Sequence, residues 1–271
     1  MDESLRRRYL EAMGIQNWVE REAVPDEAER REPQETLKSI PTDLTGQAPA
    51  EAESVPPWLQ DVPPLTEEWG LSDAPEADVL APVDPVGGMG WKALEGRVAA
   101  CERCELCRTR TRTVFGVGDR SADLMVIGEA PGVDEDRQGK PFVGRAGQLL
   151  NAMLLAIGLE RDQVFIANVL KCRPPGNRDP RPEEALQCEP FLRRQVALVM
   201  PKVIIAVGRV AAQNLLKSQE AVGRMRGKDY RFDDIPLVVT YHPAYLLRSP
   251  HHKSRAWQDL QRAVGLLRIG G

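Results

Sequence analysis

From Trp91 onward, short apolar runs rich in β-branched residues alternate with amphipathic stretches of helical length. Residues 124–127, 164–167, 203–207 and 237–240 read as strands, and residues 146–157, 182–200, 209–216 and 254–267 read as the helices that follow them. Such alternation predicts an α/β domain with a mainly parallel central sheet, because parallel neighbours need a crossover between them. Ligands of these folds sit beyond the carboxyl ends of the strands. The unusual residues gather there, at 128–132, 168–175, Gly208 and 241–250.

The chain before Trp91 follows a different pattern. Residues 2–15 carry Leu5, Tyr9 and Met13 at helical spacing, with Gly14 near the end, so residues 1–22 are expected to hold a short helix, and the acidic N-terminal region either binds a protein partner through it or shields the basic domain from nonspecific DNA. Eleven of the 22 prolines fall in residues 1–90, and no Lys or Arg occurs between Thr42 and Gly90. A stretch this rich in proline and acid buries too little apolar surface to offset its ordering entropy. Residues 23–90 are therefore expected to be a disordered acidic linker, with Trp58 and Trp69 as loose anchors, and residues 91–271 the folded domain.

The chain has 271 residues, 42% of them hydrophobic, yet no apolar run approaches the roughly 18 residues that a membrane span requires. Its first eight residues are too charged for a secretory leader, so a cytoplasmic location is expected. The net charge of -4 hides an asymmetry. Residues 1–90 hold 20 acidic and 7 basic side chains, a net of -13, whereas residues 91–271 hold 20 acidic and 29 basic, a net of +9. A basic domain suits a polyanion such as DNA, and equally a solvated surface without a partner.

Five cysteines favour a metal site or free thiols over a disulfide framework. Cys101 and Cys104 form a C-x2-C pair, Cys107 extends it, and Cys172 and Cys188 lie beside proline-rich turns. Four thiolates suit either zinc or an iron–sulfur cluster, and spacing does not separate the two. At the strand ends, Gly128-Glu129-Ala130-Pro131-Gly132 bends sharply and is followed by Asp134, Glu135 and Asp136, carboxylates suited to orienting water or to a solvated acidic loop. Phe142 stands between Pro141 and Gly144, where an aromatic face either stacks on a base or packs in the core. Asn168 ends a strand with an amide that donates and accepts at once, as reading an imide edge requires; strand-end Asn also caps turns. His242, fixed by Pro243, is a candidate proton donor. Leu246 and Leu247 beside Arg248 have the form of an apolar wedge next to a phosphate contact, with core packing as the other reading.

Taken together, residues of about 91–271 resemble the family-4 uracil-DNA glycosylases, the iron–sulfur branch of their superfamily. The carrying residues are Cys101 and Cys104, Thr113-Val114-Phe115-Gly116, the 128–132 segment with Glu135-Asp136-Arg137, residues 140–150, Asn168 to Pro175, Cys188, and His242 to Pro250. The resemblance implies a three-layer α/β/α fold and a 4Fe–4S cluster held by Cys101, Cys104, Cys172 and Cys188, with zinc as the second candidate and Cys107 outside the ligand set. It implies cleavage of the N-glycosidic bond of uracil in DNA after the base is flipped out. It also implies that Phe142 stacks on that base, Asn168 pairs with its imide edge, and His242 meets its O2 side. Gly128 and Ala130 would line the pocket, Glu129 and Glu135 would serve the water and the transition state, and Leu246, Leu247 and Arg248 would contact DNA. Ala130 stands where the family-1 enzymes carry their water-activating Asp. A non-catalytic iron–sulfur DNA-binding module and a glycosylase for another deaminated base are the alternatives.

Overall fold

The computed structural model describes residues 7, 10, 11 and 86–269. Residues 23–85 of the expected linker, including Trp58 and Trp69, lie outside the described residues; residues 86–90 are described, and Val86 is 1% exposed in a hydrophobic cluster with Met89 packed against it, so the folded part starts before Trp91. Arg7, Leu10 and Glu11 are helical, and Leu10 is 3% exposed within the main hydrophobic cluster; Leu5, Tyr9 and Met13 of the expected N-terminal helix lie outside the described residues.

In chain order the elements are α1 (Trp91–Ala99), β1 (Val117–Gly118), β2 (Leu124–Gly128), α2 (Val133–Gln138), α3 (Arg145–Ala156), β3 (Phe165–Asn168), α4 (Pro182–Val199), β4 (Val203–Val207), α5 (Arg209–Leu216), α6 (Val222–Met225), β5 (Tyr230–Phe232), β6 (Ile235–Thr240), α7 (Pro243–Arg248) and α8 (Lys253–Ile269). Six strands form one mixed sheet in the order β1-β3-β2-β4-β6-β5. The four inner strands run parallel, and the short edge strands β1 and β5 pair antiparallel with β3 and β6. Every residue of β2, β3 and β4 is buried. Their continuous apolar runs are what parallel strands covered on both faces require.

This topology creates the site. The chain leaves β2 for β3 on one side, and leaves β4 for β6 on the other. The crevice beyond the carboxyl ends of β2 and β4 is therefore the topological switch point, where open α/β sheets bind ligands. Two hydrophobic clusters flank it. The larger surrounds the sheet; the smaller joins Leu94, Val98, Leu106, Phe115, Leu170 and Phe191 to Cys101, Cys172 and Cys188. Residues 168–172 link them, held by Val169 N–H to the Gly128 carbonyl at 2.9 Å and Leu170 N–H to the Glu129 carbonyl at 3.0 Å.

The acidic segment after Gly132 is helix α2 rather than a loop. Gly132 is its N-cap residue, and Glu135 at the third helical position reaches back to the Gly132 N–H at 3.1 Å.

Candidate active site

A cleft of about 810 Å³ opens at the switch point. Its walls include Glu129, Ala130, Glu135, Phe142, Asn168, Gly208, His242 and Arg248, so the strand-end candidates converge on one cavity. Close approach is built into the backbone. At Gly128 a Cβ would lie 2.4 Å from Asn168 Oδ1 and 2.6 Å from Phe142 Cζ, so only glycine lets the amide and the ring meet. Gly208, at φ 97°, plays the same part for His242, whose Cβ a side chain there would meet at 2.9 Å.

Asn168 is 2% exposed, and its Oδ1 has no hydrogen-bond partner among the described residues. A buried acceptor left open costs about 1–3 kcal/mol unless a ligand completes it. Phe142 is 7% exposed, sits at φ 51°, and places its ring centroid 5.7 Å from that of His242. That backbone conformation is uncommon outside glycine and costs of order 1 kcal/mol.

His242 caps the N-terminus of α7: its Nδ1 accepts from the Ala244 N–H at 3.1 Å. Burial, reinforced by the Arg248 charge, pulls its pKa down to about 4. Near neutral pH the ring is therefore uncharged, and the lone pair on Nδ1 puts the proton on Nε2. The geometry turns a histidine into a fixed neutral donor.

The four carboxylates of this region separate by environment. Glu135 is occupied: beyond Gly132, its Oε1 accepts from Val143 N–H at 2.8 Å and Gly144 N–H at 3.1 Å. Asp136 is buried and accepts from Thr111 N–H at 2.9 Å and Arg112 N–H at 3.3 Å. Asp134 pairs with Arg137 at the surface at 2.7 Å. Glu129 alone keeps its oxygens open toward the cleft. Burial raises it to about 7, Asp179 adds to the rise, and Arg209 opposes it. Arg209 itself forms an ion pair with Asp179.

One expectation fails. Leu246, read with Leu247 and Arg248 as a DNA-facing residue, is 0% exposed and packs in the main core. Consecutive helical residues point about 100° apart, so α7 turns Leu246 inward and leaves Leu247, at 37% exposure, and the exposed Arg248 outward.

Cys101, Cys172 and Cys188 are buried, with Cys104 half-buried against the same cluster. All five cysteines are free. Among the described residues no three His, Cys, Asp or Glu side chains gather closely enough to hold a single metal ion. The surroundings nevertheless suit an anionic thiolate centre. Arg110 donates to Cys172 Sγ at 3.2 Å and to the Cys101 carbonyl at 2.7 Å. The Leu106 and Lys171 N–H groups donate to Cys104 and Cys188. Burial pushes Cys188 up to about 12 and raises Cys104 and Cys172, so without a Lewis-acidic partner these groups stay thiols.

Sequence reasoning missed a buried relay. Lys171 Nζ donates to the Asn168 carbonyl at 2.7 Å and to Gln195 Oε1 at 2.6 Å, and Gln195 Nε2 donates to the Phe115 carbonyl at 2.8 Å. Nothing in the local pattern marks Lys171 or Gln195, since long polar side chains are mostly exposed.

The family model of the uracil DNA glycosylase superfamily matches residues 115–261. The chain is 43% identical over 173 residues to the type-4 uracil-DNA glycosylase of Archaeoglobus fulgidus, covering 61% of this chain and 87% of that protein. It is 42% identical over 178 residues to that of Sulfurisphaera tokodaii, covering 62% and 81%. It is 37% identical over 179 residues to that of Thermotoga maritima, covering 65% and 93%.

Proposed function

The chain belongs to the uracil-DNA glycosylase superfamily, in its type-4 branch, and from that membership we infer how its cleft performs DNA repair: it receives a uracil swung out of DNA and hydrolyses the bond to the sugar. The observation that carries the assignment is the open, buried Oδ1 of Asn168 beside Phe142 and His242. An amide presents an acceptor and a donor side by side. Uracil offers the complement, a donor at N3 and an acceptor at O4. Cytosine offers an acceptor at N3 and a donor at the amino group, so both contacts fail. A site built to hydrogen-bond its substrate rejects the analogue that leaves its buried groups unpaired.

In this reading Phe142 supplies the stacking face. Cleavage sends the electrons of the C1′–N1 bond into the ring, where they accumulate on O2, and leaves cationic character on the sugar. His242 donates its Nε2 proton in a hydrogen bond to that O2, an interaction stronger in the transition state than in the ground state. Glu129, as carboxylate, faces the sugar cation, orients water to C1′ and takes the proton that the water releases. Glu135 acts on the loop rather than on the substrate, because its oxygens already hold three backbone N–H groups. Leu247 and Arg248 face the DNA, the leucine filling the space that the base vacates and the guanidinium meeting a phosphate.

Cys101, Cys104, Cys172 and Cys188 would hold a 4Fe–4S cluster, with Arg110 countering its negative charge. The cluster would supply covalent cross-links between the turn after α1, the segment after β3, and α4. The enzyme works on DNA in the cytoplasm, where its free cysteines stay reduced.

The test is Asn168→Asp, assayed by single-turnover excision from oligonucleotides containing uracil or cytosine. The carboxylate loses the donor for O4 and offers an acceptor to the cytosine amino group. Uracil excision should fall about 10- to 100-fold, following the roughly 1–3 kcal/mol of a lost buried pairing, and the preference over cytosine should narrow. Unchanged rate and preference would remove Asn168 from base reading.

A further inference from the structure

The turn that carries Phe142 is gripped from both sides by opposite charges. On its N–H side, Glu135 holds Val143 and Gly144. On its carbonyl side, Arg161 donates from Nη2 to the Pro141 carbonyl and from Nη1 to the Phe142 carbonyl at 3.2 Å. Asn151 Oδ1, on α3, accepts from the same Nη1 at 3.1 Å and fixes the guanidinium. Arg161 stands outside the cleft, in a short 3-10 turn before β3. It is half-buried, and the Glu135 charge offsets part of the cost of burying it.

The grip has something to resist. Phe142 sits at φ 51°, a conformation that a non-glycine residue leaves unless its surroundings enforce it. Gly147 allows the enforcement: a Cβ there would lie 1.9 Å from the Phe142 carbonyl oxygen, so α3 packs directly on that peptide. The ring direction follows from the backbone. A carbonyl held by Arg161 on one side and N–H groups held by Glu135 on the other leave the peptide planes around Phe142 little rotation.

We propose that Arg161 is a positioning residue for base capture, holding the carbonyls of Pro141 and Phe142 so that the Phe142 ring stands ready as a stacking face before a base arrives. Preorganisation of this kind acts on the rate, since a misplaced contact surface forfeits orientation without abolishing DNA binding. The proposal rests on the reading of Phe142 as the stacking residue, and the experiment separates the two.

A double-mutant cycle with R161A and F142A is read by single-turnover excision of uracil, by affinity for a duplex carrying a tetrahydrofuran abasic analogue, and by circular dichroism. R161A is expected to slow excision about 10- to 50-fold while affinity for the abasic duplex, which presents no base to stack, stays within about threefold. In the F142A background it should add less than about threefold, because its effect passes through the ring. The same factor in both backgrounds, or a matching loss of abasic-duplex affinity, overturns the proposal. If F142A slows excision and R161A does not, only the role of Arg161 falls. If F142A itself leaves excision unchanged, the stacking reading falls and takes Arg161 with it. R161K, which keeps the charge and one donor, should lie between wild type and R161A, and the same cycle on R161K decides the matter should R161A fail to fold.

Discussion

The cleft and the cysteine cluster hang on one stretch of chain, residues 168–172, and they treat their polar groups in opposite ways. On the cysteine side most partners are in place, the exception being Arg103 Nη1, which is buried over the Phe191 ring with no hydrogen-bond partner among the described residues. Arg110 reaches a sulfur and a carbonyl, and Lys171 and Gln195 close a buried chain from Asn168 to Phe115. On the cleft side, among the described residues, Asn168 Oδ1 lacks a partner, Glu129 is half-buried with its pKa raised by burial, and Phe142 holds a conformation that its neighbours enforce. The same residue shows the contrast, since the carbonyl of Asn168 is pinned by Lys171 while its side-chain oxygen is left open. Satisfied groups stabilise a fold; open, preorganised ones cost stability and are completed by a ligand. The cleft is therefore the part that expects company, and lesions in the two regions should separate activity from stability.

The largest separation is expected at His242. If His242 is the O2 donor we propose, replacing it by Ala should slow single-turnover excision about 10²- to 10³-fold, the usual loss for one such donor, while affinity for abasic DNA changes little. The ring also caps α7 through Nδ1, so this variant should lose about 1 kcal/mol of stability as well. His242→Asn restores a capping side chain and should recover the stability without the rate. If both recover together, His242 is a structural cap and the neutral-donor reading is wrong.

Cys188 breaks the contrast from the other side. If Cys188 holds the proposed 4Fe–4S cluster, Cys188→Ser should reduce its visible absorbance and lower unfolding stability by at least about 2 kcal/mol, because ligand binding is folding free energy in such a site. Activity should fall in proportion to the unfolded fraction. A variant that stays stable and loses only the rate would put the cysteines in the chemistry rather than the scaffold.

How much of this the sequence disclosed follows from the physics of each signal. The four inner strands and their following helices are legible because buried parallel strands read as unbroken apolar runs. The edge strands Val117–Gly118 and Tyr230–Phe232 are two and three residues long, too short to carry a period. The cleft residues are legible where fold logic places unusual chemistry, at strand ends. Their burial is not. Leu246 and Leu247 are identical as letters, and only the turn of α7 decides that one is core and the other surface. Glu129 and Glu135 are likewise equivalent on paper, until Glu135 proves to be clasped by three N–H groups. Arg161 grips a carbonyl nineteen residues earlier in the chain, a pairing that no local pattern encodes.

Glu129 gives the smallest and the most discriminating effect, because its environment sets a pH window. Its folded-state pKa is raised from 4.5 to about 7 by burial, with Asp179 adding to the rise. If the carboxylate faces the sugar cation, the active form is the ionised one, and single-turnover rates should fall about tenfold per pH unit below 7 and level off above it. His242, at about 4, does not titrate in that range, so the limb belongs to the carboxylate. Glu129→Gln should give a low rate that is flat with pH. Stability should move the other way. The folded state holds this proton more tightly than the unfolded chain does, so the contribution is full below about 4.5 and is lost as pH rises through 7. Relative to Glu129→Gln, the wild-type protein should lose about 1–2 kcal/mol between pH 5 and pH 8, a figure reduced for the group's partial exposure to solvent. A rate that rises with acid, or a stability difference that does not change with pH, would show that the carboxyl acts protonated or lies in water. In either case the contrast between an open cleft and a closed scaffold would have to be redrawn around Asn168 alone.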